Sequence, residues 1–230
     1  MTAPAMTALW HLLQTTDTAF PIGGFAHSNG LEGLVDDRVV TDPASLETYL
    51  RESWVPALGA LDLPLIRHAA LAAIDDHALY DLDERASALR PTAESRRAQQ
   101  QIGRQRLALV ARLTAHPRLQ TLAGAAERGE WSANLPVVWG VETACLELPS
   151  NHALAAYAYQ SLNGHVAAAM KLIRIGPEGA QSILRRLAPA VDRAIADSAT
   201  VLADAIGTFT PLLDLASARH ETAYTRLFIS

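Results

Sequence analysis

From Leu148 to Met170 the chain carries no Lys, Arg, Asp or Glu, over a length that would cross a bilayer. A charge-free run of that length needs either lipid or the inside of a protein. Asn151, His152, Gln160, Ser161, Asn163 and His165 interrupt it, and much of the remainder is alanine. That makes a poor membrane span and a good buried helix in a soluble bundle. Leu154, Ala158, Leu162, Val166, Ala169 and Ile173 form its apolar stripe. Ser150 is placed to cap its start, and Gly176 followed by Pro177 reads as its end.

The same period runs through much of the chain. Leu46, Leu50, Trp54 and Leu58 recur every fourth residue, with Tyr49 and Leu61 filling the stripe. Asp42 before Pro43 supplies an N-cap and a first-turn proline. Pro56 predicts a kink or an early stop, with a second helix starting near Asp62 and Pro64. A third follows Pro91 and ends before His116 and Pro117. Ile183, Leu187, Val191 and Ile195 mark another, bent at Pro189. LPVVWGVETACLEL reads as a short strand at first sight, but it stands isolated among helical patterns. With no pair of alternating strands, no repeat and no low-complexity linker, 230 residues of which half are apolar predict an all-α, single-domain multi-helix bundle.

Several chemistries are disfavoured by what the residues omit. A formal charge of −5 argues against a chain built mainly to hold nucleic acid. Cys145 is the sole cysteine, so no intramolecular disulfide forms, and a reducing, cytoplasmic setting is the simplest expectation. The N-terminus lacks a basic n-region and a small-residue cleavage site, so no signal peptide is expected. The glycine-rich stretch FPIGGFAHSNGLEG, residues 20–33, is no phosphate loop: Leu31 and Glu32 follow Gly30, where Lys and Ser or Thr belong. Nor does a strand precede it, as a dinucleotide fingerprint requires. It reads as a turn whose glycines allow close helix approach and positive φ, which leaves Phe25, His27 and Ser28 without a role. No two of the eight histidines pair at i+3 or i+4. His220-Glu221 opens like a zinc-protease helix, but Tyr224 stands where the second histidine belongs. No GxSxG elbow is present. A closed metal site within one short segment is therefore not expected, whereas sites assembled from distant residues or across a dimer axis, and a Ser-His-Asp triad, stay open.

Two features ask for a partner surface. The tail from Leu212 to Ile229 carries many apolar side chains whose burial returns less than ordering its backbone costs. It needs something to lie on, its own bundle or another protein. Arg96, Arg97, Arg104 and Arg106 cluster on one predicted helix. The plain reading is a solvated face balanced by Glu84 and Glu94; the sharper one is a docking face for an acidic partner or for RNA, although no aromatic residues are interleaved for base stacking. A helical nucleic-acid-binding protein using that arginine face is thus one alternative function. A helical metal-dependent hydrolase with ligands from separate helices is another.

Taken together, FPIGGFAHSNGLEG at the start and SARHETAYTRLFIS at the end resemble the UreF family of urease accessory proteins. LPVVWGVETA and AAAMKLIRIGPEGAQ match that family's middle blocks, in order and spacing over almost the whole chain. At Gln99 to Gly103 the family often has a serine and a small residue ahead of the glycine, and this chain has QQQIG. The resemblance implies one all-helical domain over residues 1–230, with a docking tail at about 211–230, that dimerises and catalyses nothing itself. It implies a cytoplasmic adaptor that joins UreD (or UreH) to the GTPase UreG, acts on GTP hydrolysis as an activating or a gating factor, and delivers nickel to the urease apoprotein. No tightly bound cofactor is implied; nickel is handled by the assembled complex, with His220 and Cys145 as candidate transient contacts.

Carried over residue by residue, the resemblance has Pro21, Gly23 and Gly24 shape the turn, and these three and Gly30 are counted among the partner-binding residues. Phe25, Ser28 and Glu32 then present a surface patch. The resemblance places Lys171 on the face toward UreG; on physical grounds apart from it, a Glu32–Lys171 pair is expected in the free protein, exchanging partners on docking. Arg219, His220, Glu221, Tyr224, Arg226 and Phe228 meet UreD or UreH.

Overall fold

The computed structural model describes residues 3–24, 27–220 and 227–228. Among them the fold is all-α, with no strand. Helix α1 (Ala3–Thr16) leads through the glycine loop into the short α2 (Leu31–Asp36). Next comes a continuous helical rod over 43–71, made of α3 (Pro43–Tyr49), α4 (Val55–Ala57) and α5 (Leu63–Leu71) joined by two π-helical turns. There follow α6 (Asp76–Ala88), α7 (Ala93–Thr114), α8 (Pro117–Glu127), α9 (Leu135–Cys145), α10 (Ser150–Leu172), α11 (Pro177–Asp197) and α12 (Pro211–His220).

Asp42 caps the rod as its sequence predicts: its carboxylate accepts from Ser45 N at 2.8 Å, and its own N–H donates to Ser45 Oγ at 3.1 Å. Pro56 neither stops nor restarts it. A proline has no N–H to give to the preceding turn, and here the backbone widens on both sides of it. Val55 N–H reaches back five residues to Leu50 O, and Leu63 N–H does the same to Leu58 O. Asp62 is therefore mid-helix, not a new start. Two other boundaries also differ from expectation. Pro149, not Ser150, is the cap of α10. Gly176 and Pro177 open α11 as N-cap and first residue instead of closing α10, which has already ended at Leu172. Helix α11 then runs on through Pro189.

The segment that first reads as a strand is the central helix, α9. Every residue from Leu135 to Thr143 is buried, so it has no polar face and hence no legible helical period. It packs against α5 and α7. Gly140 makes the first contact possible: a Cβ there would lie 2.3 Å from Ile66 O. The charge-free run forms α10, whose stripe Leu154, Ala158, Leu162, Val166 and Ala169 is buried. Within it His165 is fully enclosed, Nδ1 lies 3.0 Å from Ser161 O, and burial pushes its pKa down to about 4. No helix among the described residues is long and apolar enough to cross a membrane.

The arginine cluster does not make one face. Arg106 is buried, with a bidentate grip on Glu142 (2.8 and 2.7 Å). Arg96 donates to the carbonyls of Arg90 and Pro91 at 2.7 and 2.8 Å, and Arg104 to Ser132 O at 3.1 Å. Arg97 alone of the four is exposed without such a bond among the described residues. The arginine face required by a nucleic-acid reading is thus broken up by structural duties.

Candidate docking site at the glycine loop and tail helix

The loop between α1 and α2 turns where its sequence allows it. Gly23 and Gly30 have φ of 76° and 83°, and Asn29 joins them at 51°. Ser28 Oγ accepts from Glu32 N at 3.3 Å, satisfying one of the open amides at the start of α2. Helix α12 lies directly on α2. Leu213 fills the space where a Cβ of Gly30 would be, 2.6 Å from its Cδ1, and a Cβ on Gly33 would stand 2.7 Å from Ala216 O. Helix α12 therefore rests on the chain's own bundle, the first of the two surfaces open to the tail.

At the centre sits the Glu32 carboxylate, with three groups aimed at it. Glu32 Oε1 accepts from Leu227 N at 2.7 Å, and Oε2 from Phe228 N at 3.0 Å. His220 Nε2 lies 3.0 Å from Glu32 Oε2, and its Nδ1 lies 3.0 Å from Glu94 Oε2. Each ring nitrogen thus faces a carboxylate oxygen. Burial pushes the Glu32 carboxyl up, but the Leu227 amide, His220 and the Phe228 amide outweigh it and hold the group below its ordinary value. Peripheral contacts complete the join: Arg219 to Asp37 at 3.0 Å, Thr92 to Ser217 at 3.3 Å, and the Lys171 ammonium 5.2 Å from the centre of the Phe228 ring.

These placements revise the expected patch. Pro21 and Gly23 are exposed and Gly24 half-buried, but Ser28, Gly30 and Glu32 are covered. Lys171 and Arg219 are exposed, whereas His220 and Phe228 are buried. Phe25, Glu221, Tyr224 and Arg226 lie outside the described residues. The expected Glu32–Lys171 pair is not formed. A buried carboxylate is satisfied here by amides and an imidazole already inside, whereas drawing in an ammonium would strip its water. Glu94, read from sequence as a surface counter-charge, instead completes the His220 pair. Its position opposite the tail could not be seen from helical spacing on α7. Cys145 is half-buried, and burial raises its thiol pKa. Among the described residues no three His, Cys, Asp or Glu side chains converge as a metal site would need.

The sequence model of the UreF family matches residues 40–188. The chain is 38% identical to the urease accessory protein UreF of Azorhizobium caulinodans, over 92% of this chain and 90% of that one. It is 34% identical to UreF of Cupriavidus necator, over 95% of this chain and 96% of the other. It is also 34% identical to the bifunctional urease accessory protein UreEF of Bordetella bronchiseptica, over 99% of this chain and 52% of that longer protein. By its match to the family over most of its length, this chain belongs to the UreF family of urease accessory proteins.

Proposed function

We propose that this chain is a non-catalytic adaptor of urease maturation in the cytoplasm: its tail docks UreD or UreH, the face carrying Lys171 meets UreG, and the assembled complex hands nickel to the urease apoprotein. The observation that carries the docking role is the outer face of the tail. While α12 turns Ala216 and His220 inward, Leu212, Leu215 and the preceding Phe209 remain exposed, Phe209 at 87%. Apolar side chains grouped this way on one element mark an interaction surface. The Bordetella relative, whose name assigns it two accessory functions, supports a chain that works alongside other accessory proteins.

Co-purification with the cognate UreD or UreH tests this. The full chain is expected to capture the partner, whereas a chain ending at Thr210 and the full-length Leu212→Glu/Leu215→Glu variant are not. Equal capture by all three would remove the tail from the interface. Lys171→Glu is expected to abolish UreG capture and leave UreD or UreH capture in place; unchanged UreG binding would exclude Lys171 from that contact.

The homodimer has its best support at α1. Met6, Leu9, Trp10 and Leu13 fall on one stripe and are exposed, Trp10 at 70%. With Leu109, Leu113, Phe20 and Pro21, Trp10 and Leu13 line an open groove of about 560 Å³. Helix α1 carries no Asp, Glu, Lys or Arg. In a two-fold contact each residue meets its own copy or a near neighbour, so a face without charge is compatible with itself. Trp10→Arg would set two like charges facing each other and is expected to turn a dimer into a monomer in light scattering at micromolar concentration. A variant that stays dimeric would rule out this face.

A further inference from the structure

The corner between α5 and α6 holds aliphatic side chains out in solvent. Leu71, the last residue of α5, is 81% exposed, and Ile74 in the turn is 91% exposed. The turn is not a loose one. Arg118 of α8 donates to Ala73 O at 2.8 Å, Asp75 N–H donates to Ala72 O at 3.0 Å, and Ala73 between them is buried. Leu202 joins from another part of the chain. The Val201 carbonyl just before it lies 2.9 Å from Nε2 of His68 on α5, and Leu202 is itself exposed. Scattered exposed aliphatics are ordinary, whereas three at one fixed corner mark an interaction surface.

The charge around this corner is mostly of one sign. Residues 71–85 hold five carboxylates and one arginine, a formal −4 out of the −5 of the whole chain. Asp83 is buried, and the other four are exposed. Asp76 pairs with Arg118 at 2.6 Å and Asp81 with His77 at 3.0 Å. Asp75 and Glu84 form no ion pair among the described residues, nor does Asp204, which a 2.7 Å bond from Arg85 to its carbonyl places beside α6. The two arginines, Arg85 and Arg118, are both tied to backbone carbonyls.

An apolar centre with an acidic rim sets the chemistry of what can cover it. A second copy would bring the same carboxylates face to face. Nucleic acid or an anionic membrane would be repelled. We propose that the α5–α6 corner is a docking surface for a protein partner presenting a basic amphipathic segment. An apolar side chain of that segment sits among Leu71, Ile74 and Leu202, with its lysines or arginines toward Asp75, Asp81, Glu84 and Asp204. The corner is separate from the tail: Gly207, which leads into α12, donates to Ala60 O at 3.1 Å, and Leu71 lies about 16 Å further along the rod at ~1.5 Å per residue. It stands whether or not the tail and Lys171 make the contacts assigned to them above.

Two labelled peptides serve as probes on the full chain, read by fluorescence anisotropy: leucine and lysine at helical spacing, and the same with glutamate for lysine. The lysine peptide is expected to bind, more weakly as salt is added, and the glutamate peptide is not. Leu71→Ser/Ile74→Ser and Asp81→Lys/Glu84→Lys alter exposed side chains, so both should match the parent in urea unfolding. Each is expected to weaken binding of the lysine peptide at least tenfold, whereas Trp10→Ser and Leu212→Ser/Leu215→Ser leave it unchanged. In cells, a photoreactive benzoylphenylalanine in place of Ile74 should crosslink to a Lys- and Arg-rich peptide of another protein. Equal binding by the parent and both corner variants, or equal binding of the two peptides, overturns the proposal. So does a crosslink to a second copy of this chain, or binding of phosphatidylglycerol vesicles that the corner variants abolish.

Discussion

Glu142→Ala is expected to destabilise the chain by about 3–5 kcal/mol, the range found when one partner of a buried ion pair is removed. Arg106 has no exposed surface, and its guanidinium lies 3.6 Å from the Trp139 ring centre. Without Glu142 its charge would be left with the Thr15 carbonyl at 3.2 Å as its remaining polar contact among the described residues. The same carboxylate also holds His11 Nε2 at 2.6 Å, so the cut reaches α1 as well. Burial pushes the Glu142 carboxyl up, but Arg106 and His11 outweigh this and hold it below its ordinary value of 4.5.

The sign of the pH dependence follows. A carboxyl whose folded pKa is depressed contributes stability above its unfolded value, and loses it as pH falls through the folded one. The gap between parent and variant in urea unfolding should therefore be full at neutral pH and shrink below about pH 4. A gap under 1 kcal/mol at pH 7, or one that widens in acid, would mean that Glu142 is not held as a carboxylate by Arg106. Because α1 carries the Trp10 stripe, any dimer should weaken in the same variant.

What could be read from the sequence was local. The Asp42 cap, the rod's stripe and the buried face of α11 depend on residues within a turn or two of one another, and each is visible as a spacing. So was the need of the tail for a surface. Helix α9 was harder, because a helix enclosed on all sides loses the polar face that gives the period its contrast. Glycine followed by proline signals a boundary but not its direction, and at Gly176 it opens a helix. The polar contacts of the interior escaped altogether. Glu32 and His220 are 188 positions apart, and Arg106 and Glu142 are 36 apart. A charge on a helix looks the same whether its partner is water or a buried counter-ion. Glu32, read as part of a surface patch, and Arg106, read as part of a basic face, both turned inward for that reason. Of the candidate docking residues that are described, Pro21, Gly23, Lys171 and Arg219 are exposed, Gly24 is half-buried, and Ser28, Gly30, Glu32, His220 and Phe228 are covered.

Gly103→Ala should reverse the sign that helix propensity predicts. In the interior of α7 an alanine for glycine would add about 1 kcal/mol of stability from propensity alone. Here the new Cβ would stand 2.0 Å from Ala133 O and 2.7 Å from Leu135 N, both backbone atoms. Residues 132–134 cannot simply step back. Asp83 holds them through the amides of Ser132, Ala133 and Asn134 at 2.8, 3.1 and 2.7 Å, with Ala133 already at a φ of 57°. Burial pushes the Asp83 carboxyl above its ordinary range even with those bonds to Asn134, Ser132 and Ala133 in place, so losing them would leave an acid that is buried and poorly solvated. Either α7 withdraws from the start of α9, or the loop leaves Asp83 at about 1–3 kcal/mol for each buried partner lost. The net change should be a loss of about 3 kcal/mol or more in urea unfolding, and Asp83→Ala should recover part of the difference in the double variant by freeing the loop to move. Equal or higher stability in Gly103→Ala would show that α7 and α9 are not held at this distance. If the loss is found, the glycine that ends QQQIG is required by the backbone leading into α9, whichever side chains precede it.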